Sequence, residues 1–256
     1  MDTGCTGLVL KQDNDGKTVL HIAVKEDISN GIIERLIDTG GTDLVLNKDN
    51  DGKTALHIAV KEDISNEIIE RLLDTGWKGL VLRQDNDGNT ALHVALREGV
   101  SNGIIEQLVD TGGRDLVLKQ DNDGITALHI SMLEHCSNEI IERLIDTGGT
   151  GLVLKQDNDG DTALHVAIQE SSFEIIERLI DTGGTGLVLR QDNDGNTALN
   201  VALRKGVSNG IIERLIDTGG KDLVLKDDND GNTALHIAIR EGVSNEFWIL
   251  AVRVLF

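Results

Sequence analysis

The stretch "DNDGKTALHIAVKEDISNEIIERLLDTGWKGLVLRQ", residues 49–84, decides the fold, because the chain repeats it nearly end to end. Aligning the copies on Gly16, Gly52, Gly88, Gly124, Gly160, Gly195 and Gly231 gives steps of 36 residues, except for one of 35 between Gly160 and Gly195. Such a period marks an array in which each unit buries its apolar faces against its neighbours. Two apolar stripes at helical spacing lie in the stretch: Ala55, Leu56, Ala59 and Val60, then Ile68, Ile69, Leu72 and Leu73. Ser65 and Asn66 offer caps for the second helix, and Gly76 offers the left-handed residue that would end it. The segment GLVLRQ that follows is rich in β-formers and reads as an extended, hairpin-like finger, turned back by the next DNDG. Helices of under about a dozen residues are marginal alone in water, so the units fold as a stack.

The expected units are residues 13–48, 49–84, 85–120, 121–156, 157–191, 192–227 and an incomplete 228–256, with 1–12 as the tail of a missing preceding unit. Comparing copies reveals two unit types. Where the second helix begins with Gly31, Gly103 or Gly210, the finger carries Asp43, Asp115 or Asp222; where it begins with Glu67, Glu139 or Glu174, the finger carries Gly79, Gly151 or Gly186. Each unit thereby keeps one acid between the two sites.

A formal charge of -20 argues against a nucleic-acid backbone or an anionic bilayer as partner, since either requires a basic face. Cys5 and Cys136 show no paired spacing, so no disulfide framework is expected, and a reducing interior, the cytoplasm, is the expected compartment. The opening "MDTGCTGLVL" has neither a basic segment nor a long apolar run, so it reads as neither a signal peptide nor a membrane span.

The segment "DNDGKTALHIA" resembles the ankyrin repeat pattern, with alanine where that family has proline, and "NEIIERLIDTGG" is similar to its second helix and glycine end. The resemblance covers residues 13–245. It implies an all-α repeat solenoid of helix-turn-helix units joined by hairpin-like fingers, and a concave surface of first helices and fingers that holds other proteins. Most units exceed the usual 33 residues. Six fingers are two residues longer, and most helix-to-helix loops are one longer; the fifth unit, "HVAIQESSFEIIERLI", keeps the usual loop.

Several chemistries fit the motifs less well than structure does. In a calcium-loop frame with Gly16 sixth, the first ligand position is Lys11 and the twelfth Ile22, so the acids read as a turn. The tripeptide DTG matches a short aspartic-protease motif, but equivalent residues of stacked units lie roughly 10 Å apart, too far to share a proton. His21, His57, His93, His129, His165 and His236 form a row spaced too widely to share zinc. The resemblance implies that this histidine braces the threonine turn, and Asn200 in the sixth copy retains polar groups for that role. Cys136 falls where other copies have Ile64 or Val100, and reads as a small buried hydrophobe.

No catalytic residue, metal ligand or cofactor site is therefore assigned, and the chain reads as a non-enzymatic scaffold that binds a protein partner. Four residues past each histidine position come Lys25, Lys61, Arg97, Leu133, Gln169, Arg204 and Arg240, a row able to steer an acidic or mixed-charge peptide. Ile125 and Leu133 in the fourth unit add apolar anchor candidates. Alternative readings are the regulatory array of a larger enzyme or channel, and an acidic repeat that responds to divalent cations. The C-terminal "NEFWILAVRVLF" is apolar on all sides and too short to span a bilayer; with the partial unit at the start, it reads as the end of a fragment or incomplete gene product.

Overall fold

The computed structural model describes residues 7–243 and 245–255, so Asp2, Cys5 and the first half of the 1–12 tail lie outside the described residues. The chain divides into two compact bodies, Met1–Asn122 and Asp123–Phe256. In the first body the first helices are Val19–Lys25, Ala55–Lys61 and Ala91–Glu98, and the second helices are Asn30–Val45, Asn66–Val81 and Asn102–Val117. In the second body the first helices are Ala127–Leu133, Ala163–Gln169, Ala198–Lys205 and Ala234–Arg240. Their second helices are Asn138–Gly148 (continued by Thr150–Val153), Ile176–Val188, Asn209–Val224 and Asn245–Leu255. Within each body, first helices pack on the following first helices, and most pack on their own second helices, as most second helices do on the following ones.

The first helix starts at an extended threonine, as at Thr54 (φ -91, ψ 167), whose N–H donates to His57 Nδ1 at 3.2 Å. Residues Ala55 to Val60 are all buried, so this short helix exists by virtue of its neighbours. The second helix begins at Asn66, but Ser65 makes no side-chain cap; its carbonyl accepts the Ile68 and Ile69 N–H groups instead. Its hydroxyl accepts a hydrogen bond from Asn30 of the preceding unit at 3.0 Å. Glu67 accepts from the same Asn30 amide, and Lys78 pairs with Asp115 at 2.7 Å, so acids of both unit types join neighbouring second helices.

Two expectations about the segment after the second helix are corrected. Gly76 does not end the helix in a left-handed conformation; the next residue does, with positive φ at Gly41, Trp77, Gly113, Gly149, Gly184 and Gly220. Gly76 is small for a different reason, because a Cβ there would sit 2.6 Å from Leu80 Cβ. Beyond this kink GLVL is helical, not extended, as Thr150–Val153 shows. One helical turn buries Leu80 and Val81 completely, and that burial overrides their β preference. Hairpin character survives only as single antiparallel bridges across the turns, Gln12 to Thr18, Gln156 to Thr162, Gln191 to Thr197 and Asp227 to Thr233, among the described residues.

The helix Asn245–Leu255 has apolar residues on its buried side and, at Ile249 and Val252, on its exposed side, interrupted by Arg253. Phe247 and Ala251 are buried, and exposed Arg253 pairs with Asp217 and, at 3.7 Å, with Glu213. No helix among the described residues is long and apolar enough to cross a membrane.

Candidate protein-interaction site

The DNDG turn organises the candidate face. Asp13 Oδ1 accepts the N–H groups of Asp15 and Lys17, both at 2.9 Å, and Asp49 Oδ1 does the same for Asp51 and Lys53 at 3.0 and 2.8 Å. The carboxylates thus hold their own turns, as expected of acids followed by glycine. Turns are also tied to one another: Asn50 N–H donates to Asp15 O at 2.9 Å, and Asn50 Nδ2 donates to Asn14 O at 3.0 Å. The approach is close enough to require glycine at Gly16 (φ 75), where a Cβ would stand 2.7 Å from the Asn50 nitrogen.

Behind the turn lies the histidine. His21 Nδ1 accepts the Thr18 N–H at 3.1 Å, and its Nε2–H donates to the Lys53 carbonyl of the following unit at 3.1 Å. His57, His129 and His165 repeat this with the carbonyls of Asn89, Asp161 and Asn196. The ring therefore braces its own turn, as the resemblance implied, and also ties one unit to the next. Burial, working against the backbone hydrogen bonds, lowers the pKa of His21, His57 and His165, which keeps these imidazoles neutral. Asn200 does not take over the role: its amide is fully buried and neither end has a hydrogen-bond partner.

The candidate row divides by chemistry. Arg97 bonds to Asn89 Oδ1 and reaches Asp121 at 2.7 Å; Arg204 bonds to Asn196 Oδ1 and reaches Asp228 at 3.1 Å; Arg240 reaches Asn232 Oδ1 at 3.1 Å. Arg97 and Arg204 thereby latch neighbouring turns and are paired with carboxylates, whereas Arg240 bonds only the neutral amide of its own turn. Gln169 contacts Asp161 at 3.4 Å. Lys25 and Lys61 are exposed and make no ion pair among the described residues. They line one cleft together with Lys17, Lys53, Ile58 and Val94, in which Asp49, Asp51 and Glu62 offset part of the charge. In the second body Gln169 and Arg204 line another cleft with Asp192 and Asp194. Leu133 is 44% exposed, while Ile125 is half-buried.

The arginine partners were missed in the sequence, yet a signal exists. The residue after each turn glycine and the one eight further on vary together: Lys17 with Lys25, Lys53 with Lys61, Asn89 with Arg97, Ile125 with Leu133, Asp161 with Gln169, Asn196 with Arg204, Asn232 with Arg240. Reading the two columns jointly identifies the latch. At the fifth unit the pair leaves Asp161 short of donors. Burial, with Asp157 and Asp192 nearby, raises its pKa to about 6, and its Oδ1 is buried without a partner. Cys136 is half-buried rather than fully so, and burial, aided by Glu134, raises its thiol pKa, opposite to activation.

A family model described as "Ankyrin repeats (3 copies)" matches residues 4–78, 20–118, 100–188 and 186–252. The crystal structure of the ankyrin repeat domain of Bcl-3, a member of the IkappaB protein family, aligns with a TM-score of 0.72 at 24% identity. That alignment covers 94% of this chain and all of that one, a likeness of fold. No curated protein matches the chain. With turn, histidine brace, kinked second helix and family match running through both bodies, the chain belongs to the ankyrin repeat family.

Proposed function

We propose that this chain is a non-enzymatic interaction module, each body of which holds protein on the side built from its own turns and first helices. Ankyrin repeats are in general protein–protein interaction modules, which gives the class. The finer reading rests on one observation: at the end of the first helices, Leu133 is exposed where Arg97 and Arg204 are bound into latches. An exposed leucine outside the latches suits an anchor that a partner covers, because binding energy concentrates in a few such contacts. Lys25 and Lys61, also outside the latches, supply mobile cations for a partner's carboxylates. The half-buried Ile125 and Gln169 contribute shape, and the exposed Arg240, bonded to a neutral amide, adds a charge.

The test is a quantitative pull-down from lysate with the wild-type chain, Leu133→Glu and the double variant Lys25→Glu/Lys61→Glu. The same proteins should be retained by wild type and lost at least tenfold by both variants, with unfolding midpoints unchanged. Retention unaffected by either variant would sink the assignment of this side. Reversing Arg97 or Arg204 is a test of folding, because it breaks latches.

A further inference from the structure

Trp77 stands out at the kink of its second helix. The other kinks use glycine, at Gly41, Gly113, Gly149, Gly184 and Gly220, whereas Trp77 holds the same positive φ with a full side chain. A bulky residue in this conformation is strained, and such outliers cluster at binding sites. The indole is 75% exposed, the most of any large apolar side chain among the described residues, and it makes no ring contact or hydrogen bond there. At Gly41 and Gly113, its equivalents on either side in the same body, an added Cβ would meet nothing within 4 Å, so the surroundings of the ring are open.

A second departure lies beside the first. Second helices are joined by a recurrent ion pair from an arginine to the DTG aspartate of the preceding unit, as Arg71 to Asp38, Arg178 to Asp146 and Arg214 to Asp181. The third unit carries Gln107 at the arginine position. Gln107 Nε2 donates instead to Glu70 at 2.9 Å, and its Oε1 is buried without a partner. Asp74, three residues before Trp77, is therefore an exposed carboxylate in no ion pair among the described residues, and Glu70, one turn earlier, receives only a neutral amide. The neighbouring cations are committed elsewhere, Arg71 to Asp38 and Lys78 to Asp115 at 2.7 Å.

We propose that Trp77 and Asp74, with Glu70 beside them, form a docking point for an arginine side chain in a basic segment of a partner protein. A guanidinium lies flat on an indole while its N–H groups donate to a carboxylate, so one arginine covers the exposed ring and supplies the charge that the missing arginine of the third unit leaves absent. An apolar side chain would cover the indole but leave the two carboxylates unanswered, and that charge favours the cation. The docking point lies on the second helices of the first body. It is separate from the turn side and does not rest on the reading given to that side.

The experiment is a titration of the full chain with the peptide acetyl-Gly-Arg-Gly-Arg-Gly-amide at physiological salt, followed by NMR at the indole N–H signal of Trp77. The chain has 2 tryptophans, so Trp77→Gly assigns the signal. The signal should shift and saturate with the arginine peptide and stay in place with the same peptide carrying neutral citrulline for arginine. Gln107→Arg, which restores the residue found at 71, 178 and 214, and Asp74→Asn should each weaken binding about fivefold, the scale of one exposed ionic contact. Trp77→Gly, read at the Asp74 amide, should weaken it by about the same factor through loss of the cation–π contact. Gln107→Arg and Trp77→Gly install residues that sister units already carry, so circular dichroism should match wild type. An indole signal that does not move, shifts confined to the acidic turns, an equal response to the citrulline peptide, or an unchanged dissociation constant in Gln107→Arg would overturn the proposal.

Discussion

Asn200 is buried with both ends of its amide unpaired, at a place where His21, His57, His129 and His165 each bond to a turn and to the next unit. An unsatisfied buried amide costs on the order of 1–3 kcal/mol. Asn200→His should therefore raise stability by about 1–2 kcal/mol in urea unfolding, by restoring the bonds to Thr197 and Asn232. Trp77 is a second defect: it holds φ 49 and ψ -147, where the other kinks use glycine, and is 75% exposed. Trp77→Gly should stabilise by about 1 kcal/mol in the same assay, since glycine takes this backbone conformation without strain.

Asp161 gives a pH signature at the same scale. Its folded pKa of about 6 lies above the ordinary 3.8, so the folded state holds the proton more tightly. The stability this gives is complete below pH 3.8 and is lost as pH rises through about 6. The full shift corresponds to about 3 kcal/mol. The carboxyl is only half-buried, and solvent screening leaves about 1 kcal/mol. Asp161→Asn, the residue found at 89, 196 and 232, should thus stabilise the chain at pH 8 and have little effect at pH 4. The buried histidines act the other way: their lowered pKa gives stability present above pH 6.5 and lost as pH falls below it. Urea titrations of wild type and Asp161→Asn across this range separate the two.

Among elements, the first helices depend on latches that a period alone does not reveal. Arg204 joins its own turn at Asn196 to the buried Asp228 of the next turn. Arg204→Gln should lower stability by about 1–2 kcal/mol, because a buried carboxylate loses its charged partner while the exposed guanidinium contributes little by itself. Equal midpoints in urea for wild type and variant would contradict the latch. The helices themselves were legible: the stripes at 55–60 and 68–73 are the buried faces. The GLVL segment was not, because β-formers preceding a turn look extended until the burial of Leu80 and Val81 is known. The glycine role was likewise displaced by one residue. Gly40 and Gly41 share the small side chain that the sequence shows, but close approach to Leu44 acts on one and positive φ on the other.

For the molecule as a whole, repetition made the family readable from the turn and histidine motifs, and left partner chemistry nearly unreadable. Five of the seven positions in the candidate row are basic, which looks like a binding stripe in a chain of net charge -20. The structure divides that stripe into latching arginines and unlatched Lys25 and Lys61, a distinction that depends on the neighbouring turn and not on residue type. Leu133 stood out in the sequence for breaking the row, and its exposure is the observation on which the proposed anchor role rests.

The most direct measurement is hydrogen–deuterium exchange of the chain alone and with the protein it captures. The account predicts added protection in the DNDG turns and at the ends of the first helices, at residues 25, 61 and 133, with the second helices unchanged. Protection confined to the second helices, such as Asn66–Val81 and Asn209–Val224, with the turns unaltered, would contradict it.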